Sequence, residues 1–176
     1  MRNRVVVTGM GVVSPIGDNI QDFWKSLKSG KNGINNITLF DTDKFDVKIA
    51  GESKVNLEDY FHKKELNKID RFSTFAIIAA DQAIEQSRII NDNIPKDRIG
   101  VIVGSGIGGI STFEKQHSKL LKNPRFVSPF FIPSMISDIA PGHVSIKYGF
   151  TGINYSVVSA CATSNHAFGD AFKMIQ

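Results

Sequence analysis

One cysteine, one tryptophan and six prolines are all that this 176-residue chain holds of those residue types. A single cysteine excludes an internal disulfide framework, so the fold rests on its own core, and the free thiol suits a reducing compartment. Long apolar runs are also missing. The run Phe75-Ala76-Ile77-Ile78-Ala79-Ala80 is far short of the ~18 residues that a membrane-spanning helix needs. The first apolar stretch, Val5-Val6-Val7, breaks at Thr8-Gly9, too early for the core of a secretory signal. Charge of neither sign is concentrated. A net +4 is scattered along the chain, with no basic stripe interleaved with aromatics, which argues against a nucleic-acid partner. H-E-x-x-H and C-x-x-C spacings do not occur, so no metal site is expected. What is present is an ordinary globular composition, 41% hydrophobic and 22% charged. It points to one folded domain without a membrane span, expected in the cytoplasm.

The chain alternates strand and helix signals, the pattern of an α/β layered sheet. Arg4 to Thr8 reads as a short buried strand ending at Gly9. Asp18-Asn19 offers an N-cap for a helix through Ile20, Phe23, Trp24 and Leu27, stopped at Gly30. A polar stretch from Lys31 to Asp59 predicts loops with one short strand near Val47 to Ala50, and Lys63 to Lys68 a short basic helix. The strongest helix starts near Asp70. Its apolar stripe runs through Phe72, Phe75, Ala76, Ala79, Ala80, Ala83 and Ile84, with Asp81, Glu85 and Arg88 off it. Ile99 to Val103 is a second strand, Phe113 to Leu121 a helix, Ser137 to Tyr148 another, stopped by Gly149. Asn154 to Ala160 is a third strand, ending at Cys161, and Ala167 to Ile175 is helical again. This last helix has no C-cap glycine and no following turn, which predicts a shortened chain or one half of a larger fold.

Two features hold chemistry. Gly104-Ser105-Gly106-Ile107-Gly108-Gly109 fits G-x-G-x-x-G, whose backbone amides cradle a pyrophosphate in dinucleotide sites. The ribose-binding acid expected about 20 residues on is missing, since Asn123-Pro124-Arg125 stands there. Tight turns with close backbone packing account for the glycines instead. The second feature is Ser159-Ala160-Cys161-Ala162-Thr163-Ser164, a turn of small residues between a strand and a helix start. Free amides and the positive end of a helix dipole favour a thiolate there, and the Cys161 amide is a candidate oxyanion donor. A buried structural cysteine is the competing reading. The four histidines are His62, His117, His143 and His166. His166 lies five residues past Cys161, more than one helical turn on, and is expected to point elsewhere, so the spacing shows no complete Cys-His pair.

Taken together, Arg4-Val5-Val6-Val7-Thr8-Gly9-Met10-Gly11, Ser14-Pro15-Ile16-Gly17, Phe40-Asp41, Lys68-Ile69-Asp70-Arg71-Phe72, the glycine turn, Ser128-Pro129-Phe130-Phe131-Ile132-Pro133-Ser134, Tyr148-Gly149 and Val158-Ser159-Ala160-Cys161 resemble the N-terminal half of the β-ketoacyl-[acyl-carrier-protein] synthases. The type II condensing enzymes are the best match. The resemblance spans residues 1–176 as one domain. It implies a thiolase-like fold, layered αβαβα when complete, of which this chain is roughly the first half. It implies an acyltransferase that condenses malonyl-acyl carrier protein with an acyl chain held on Cys161, and it needs no cofactor. Ile107 resembles a wall of the acyl pocket, and Phe131 a residue that reaches the partner subunit's pocket. Lys64, Lys68 and Arg125 match basic residues that dock the acidic acyl carrier protein, whereas Asn67 and Phe126 stand where a relative has basic ones. The family forms homodimers through the strand corresponding to Ile153 to Ala160. Its two catalytic histidines, a lysine and the second oxyanion amide belong to the other half, and no histidine here matches them. An inactive fragment and a polyketide ketosynthase subunit remain alternatives, although the chain-length partner of such ketosynthases usually lacks the cysteine.

Overall fold

The computed structural model describes residues 2–90 and 93–176. Its centre is the helix α3 (Arg71–Ser87), preceded by α1 (Ile20–Lys28), a two-stranded antiparallel pair of β1 (Ile34–Asn36) and β2 (Ile49–Gly51), and α2 (Lys63–Leu66). After α3 come β3 (Val101–Ile102), α4 (Ile110–Lys122), α5 (Phe131–Met135), α6 (Ile139–Tyr148), β4 (Asn154–Tyr155) and α7 (Thr163–Ile175). Strands β3 and β4 run parallel, Val101 opposite Asn154 and Ile102 opposite Tyr155. Their ladder continues past the strands proper. The amides of Val101, Val103 and Ser105 donate in turn to the carbonyls of Ile153, Tyr155 and Val157. Every second residue is bonded, the spacing of a parallel ladder.

Helix α3 is buried almost all round through its first half, where Ser73 and Thr74 are as inaccessible as Ile78. The expected stripe is therefore displaced: Ser73, Thr74, Ile77 and Ile78 form the deepest face. Thr74 tolerates this because its hydroxyl donates to the Arg71 carbonyl at 2.7 Å. Against α3 packs α6, through Ala140, Pro141 and Val144, all nearly inaccessible. Asp81, outside the sequence-predicted stripe, ties the two helices. Its carboxylate accepts from the Tyr148 hydroxyl and the Lys147 ammonium, both at 2.6 Å. Burial and the Asp81 charge raise the Tyr148 hydroxyl well above the ordinary phenol range.

The structure differs from the sequence reading at several elements. Arg4 to Thr8 forms no strand ladder among the described residues, and Val6 and Val7 are 57% and 73% exposed. The segment runs on into Gly9-Met10-Gly11-Val12, where two amides are taken by side chains of α3. Met10 N–H donates to Gln86 Oε1 at 2.7 Å and Val12 N–H to Gln82 Oε1 at 3.1 Å. Glutamines four apart on one helix face replace a neighbouring strand. Ala79 and Ala83 of the apolar stripe pack closely on this segment, at Gly11 and Gly9. The third strand is shorter than expected: its last ladder bond is at Val157, and a 3-10 turn over Ala160–Ala162 follows. Helix α5 breaks the proline-rich stretch, and α7 begins four residues earlier than the apolar period suggests. The last carbonyls of α7 are not orphaned, since the Asn3 side chain and amide donate to Ile175 and Gln176.

A Cβ on Gly11 would overlap the Ala79 carbonyl, whereas one on Gly106 would meet nothing within 4 Å. Gly11→Ala is expected to lower stability by more than ~2 kcal/mol, as overpacking does, and Gly106→Ala by less than ~0.5 kcal/mol. Urea unfolding midpoints of the two variants check this; equal midpoints would mean that the α3 contact is not close.

Candidate active site

The two chemistry-bearing turns sit side by side at the carboxyl ends of β3 and β4. That is where open parallel sheets place their ligands. The glycine turn leaves β3 at Gly104, and the cysteine turn leaves β4 at Ser159. They touch directly. A Cβ on Gly104 would collide with the Thr163 side chain, so only glycine lets the first turn approach the start of α7. Thr163 is 5% exposed, wedged there.

The glycine turn is closed upon itself. Gly108 N–H donates to Ser105 Oγ at 2.9 Å, Gly109 N–H to the Met135 carbonyl at 2.7 Å and Ile110 N–H to the Gly108 carbonyl at 3.0 Å. The amide of Thr112, in the first turn of α4, donates to Asp70 Oδ2 at 2.8 Å. Asp70 Oδ1 also accepts from Phe72 N–H at 3.3 Å, capping α3. One carboxylate, 7% exposed, thus occupies the N-termini of two helices. The position where a dinucleotide would present its pyrophosphate already holds an anion, which excludes that use for a physical reason.

The cysteine turn is open. Residues Ala160–Ala162 form one 3-10 turn that leads straight into α7. Cys161 is exposed. Among the described residues, its amide donates to no protein carbonyl, in contrast to that of Ala162, which donates to Ser159 at 3.1 Å. A thiol with its own N–H free is the arrangement needed to attack a carbonyl carbon and hold the resulting oxyanion. Ala160 has φ of +49°, a left-handed conformation unfavourable for alanine and held only by its surroundings. Those surroundings are two hydrogen bonds from Ser159 into α7. Its N–H donates to Thr163 Oγ1 at 2.8 Å, and its hydroxyl meets His166 Nδ1 at 2.6 Å.

His166 makes no pair with Cys161, as expected, but it does not point away from the cysteine turn: it bonds Ser159. It escaped sequence reasoning because the helix was started at Ala167. A start at Thr163 puts His166 three residues on, on the face of Thr163. The other histidines lie on other elements. His62 precedes α2, with its N–H on the Glu65 carboxylate; His117 stacks on Phe113; His143 is half-buried on α6, where burial pushes its imidazole down.

Ile107 stands 70% exposed at the tip of the glycine turn. Phe131, at the start of α5, is half-buried with its ring 6.2 Å from that of Phe113. Lys64 and Arg125 are exposed. The Lys68 ammonium lies 4.9 Å from the centre of the Phe130 ring, five residues after Arg125. Buried Gln116 holds that loop by accepting from Ser128 N–H at 2.8 Å.

The domain is α/β, with an exposed cysteine in the turn that follows a parallel strand. The family model "Beta-ketoacyl synthase, N-terminal domain" matches residues 2–176, and the chain belongs to that family. It is 50% identical, over 98% of its length, to 3-oxoacyl-[acyl-carrier-protein] synthase 2 of Staphylococcus aureus strain N315. It is 42% identical, over 99%, to the Synechocystis protein of the same name. The chain spans about 42% of the length of these relatives. Among solved structures it is similar to the ishigamide ketosynthase/chain length factor, with a TM-score of 0.85 at 21% identity, covering 99% of this chain and 45% of that one. It is also similar to a type II polyketide ketosynthase in complex with its acyl-carrier protein, with a TM-score of 0.77 at 25% identity, covering 99% of this chain and 48% of that one. The fold is thiolase-like, and this chain is its N-terminal part.

Asp70→Ala removes the cap of α3 and the acceptor for Thr112 together. At ~1 kcal/mol for each helix N-terminus, a loss of about 2 kcal/mol in urea unfolding is expected, with Asp70→Asn losing less. A loss below ~0.5 kcal/mol for Asp70→Ala would show that the bridge carries no stability.

Proposed function

We propose that this chain supplies the acyl-accepting half of a 3-oxoacyl-[acyl-carrier-protein] synthase, an acyltransferase of fatty acid elongation. The observation that carries the reading is Cys161 itself: exposed, at the end of a parallel strand, and with its own amide unspent. The Cys161 sulfur attacks the carbonyl carbon of an acyl-carrier thioester, the carrier's thiol leaves, and the acyl chain is held on Sγ. Sulfur replaces sulfur, so the exchange is nearly balanced. Malonyl-carrier protein then loses carbon dioxide. The electron pair of the broken carbon–carbon bond stays on the α-carbon, which attacks the Cys161 thioester and expels the thiolate. A 3-oxoacyl chain two carbons longer remains on the carrier.

Ile107 and Phe131 belong to this reading as acyl-pocket residues, and Lys64, Lys68 and Arg125 as the docking face for an acidic carrier protein. Phe130, with Lys68 held over its ring, gives that face an apolar centre. The solved ketosynthase in complex with its acyl-carrier protein supports such a partner. Homodimer formation is part of the proposal: Ile153 and Val158, on the strand that would join subunits, are 54% and 58% exposed. So is a cytoplasmic location, where the free thiol stays reduced. A polyketide ketosynthase is the second reading, and the identities favour the first, at 42–50% against 21–25%.

The test is to incubate the full-length synthase with acyl-carrier protein and locate the acyl adduct by mass spectrometry. The adduct is expected on Cys161 and absent from Cys161→Ser as a thioester. A stable thioester at another position would remove the reading.

Docking is tested separately. Double replacement of Lys64 and Lys68 by Glu is expected to raise KM for acyl-carrier protein severalfold at low salt and to flatten its salt dependence, because exposed charges act over about a Debye length, ~10 Å at 0.1 M salt. An unchanged KM at low salt counts against this face.

A further inference from the structure

The structure assigns His166 a role that rests on the proposed nucleophile: it is a positioning residue that holds Cys161 through Ser159. Three observations meet at this turn. Ala160, immediately before the cysteine, sits at φ +49°, a conformation that alanine does not keep unless its neighbours impose it. The residue before it, Ser159, is held by α7 at two of its polar groups: N–H on Thr163 Oγ1 at 2.8 Å and hydroxyl on His166 Nδ1 at 2.6 Å. Both anchors lie on α7, three residues apart and so on one face. Cys161 lies between the clamped residue and its anchors, so the clamp sets the direction in which its sulfur and its free amide point.

The two anchors differ in kind. Thr163 is buried and locked against Gly104, so it is part of the packed scaffold. His166 is exposed and packs no core, and among the described residues its side chain bonds to Ser159 alone. A group that adds little burial yet makes a short hydrogen bond beside the nucleophile affects geometry more than stability. The bond also survives a change of protonation. With Nδ1 unprotonated the Ser159 hydroxyl donates to it, and in the imidazolium Nδ1–H donates to the hydroxyl oxygen. Holding the turn therefore does not require His166 to exchange a proton with Cys161, which separates this role from that of a general base.

The experiment uses the full-length synthase and two readouts: acylation of Cys161 by acyl-carrier protein, and alkylation of Cys161 by iodoacetamide across pH 6 to 9. His166→Ala and Ser159→Ala are each expected to slow both reactions roughly five- to tenfold, about the net worth of one hydrogen bond, with KM for the carrier and the melting temperature unchanged. The double variant is expected to be no slower than either single one, since both remove the same bond. His166→Asn, whose side-chain amide reaches the place of Nδ1, is expected to restore most of the rate. The pH at which alkylation is half-maximal is expected to stay the same in all variants. The assignment is overturned if Ser159→Ala reacts at the wild-type rate while His166→Ala is slow, which would mean direct action of the histidine, or if both react normally. It is also overturned if the rates fall only in step with melting temperature, the mark of a purely structural role. Iodoacetamide reads the turn without an acyl substrate, so failure of Cys161 to accept an acyl chain would sink the proposed function and leave the clamp measurable.

Discussion

Asp70 is the constraint on which the site is built. Helix N-termini carry about half a positive charge and unsatisfied amides, and two of them facing one another would repel. The buried Asp70 carboxylate lies between those of α3 and α4 and accepts from both. A charge at 7% exposure is tolerated because those amides solvate it. From there the geometry passes outward by contact. Gly109 sits so close to Asp70 and the Ser134 carbonyl that only glycine fits, the glycine turn ends β3 beside Thr163, and Thr163 anchors Ser159. Cys161 is the last member of this chain of contacts.

The two turns illustrate how the same backbone chemistry serves opposite ends. Both follow a parallel strand and open a helix, the arrangement that leaves amides pointing at a ligand. In the glycine turn, partners from Ser105, Met135 and Asp70 fill that capacity, so its work is to support packing. In the cysteine turn the amide of the proposed nucleophile is unspent among the described residues, and the strain at Ala160 lies where it orients a side chain instead of where it closes a loop. The difference between a structural turn and a reactive one is thus a matter of which donors remain free.

Local signals in the sequence were legible where chemistry is local. Asn19 and Asp70 as helix starts, Gly149 as a left-handed stop and the placement of Cys161 between strand and helix all depend on a few neighbouring residues. Less was legible where the outcome depends on more than an apolar period. Val5-Val6-Val7 reads as strand from its β-branched run, yet its neighbour is a helix whose glutamines bond the backbone just beyond it. Ser73 and Thr74 read as polar, yet lie deepest because α3 is covered from several sides. The early start of α7 was hidden by small residues without an apolar period, and with it went the bond between Ser159 and His166. At the glycine turn the sequence already favours tight packing over a phosphate cradle, and the structure adds the carboxylate, 42 residues away in sequence, that fills it. Family resemblance, resting on many short segments in order, was more informative than any one of them.

The residues also divide the proposed reaction. Acyl transfer to Cys161 asks for a sulfur nucleophile, an oxyanion donor and a rigid turn, and all three are found here. Decarboxylation asks for more, because a carbanion equivalent must be stabilised as carbon dioxide departs. None of the four histidines is placed for that. His166 is engaged with Ser159, His143 is half-buried on α6, His117 stacks on Phe113, and His62 sits at α2. The relatives are more than twice as long as this chain, and α7 turns Phe168 and Ile175 outward at 71% and 54% exposure. An apolar face of that size normally meets another surface. On the proposed reading, the surface that covers α7 also brings the groups that stabilise the carbanion, so that covering the apolar face and completing the chemistry are one event: water leaves the Cys161 thioester when the second set of residues arrives.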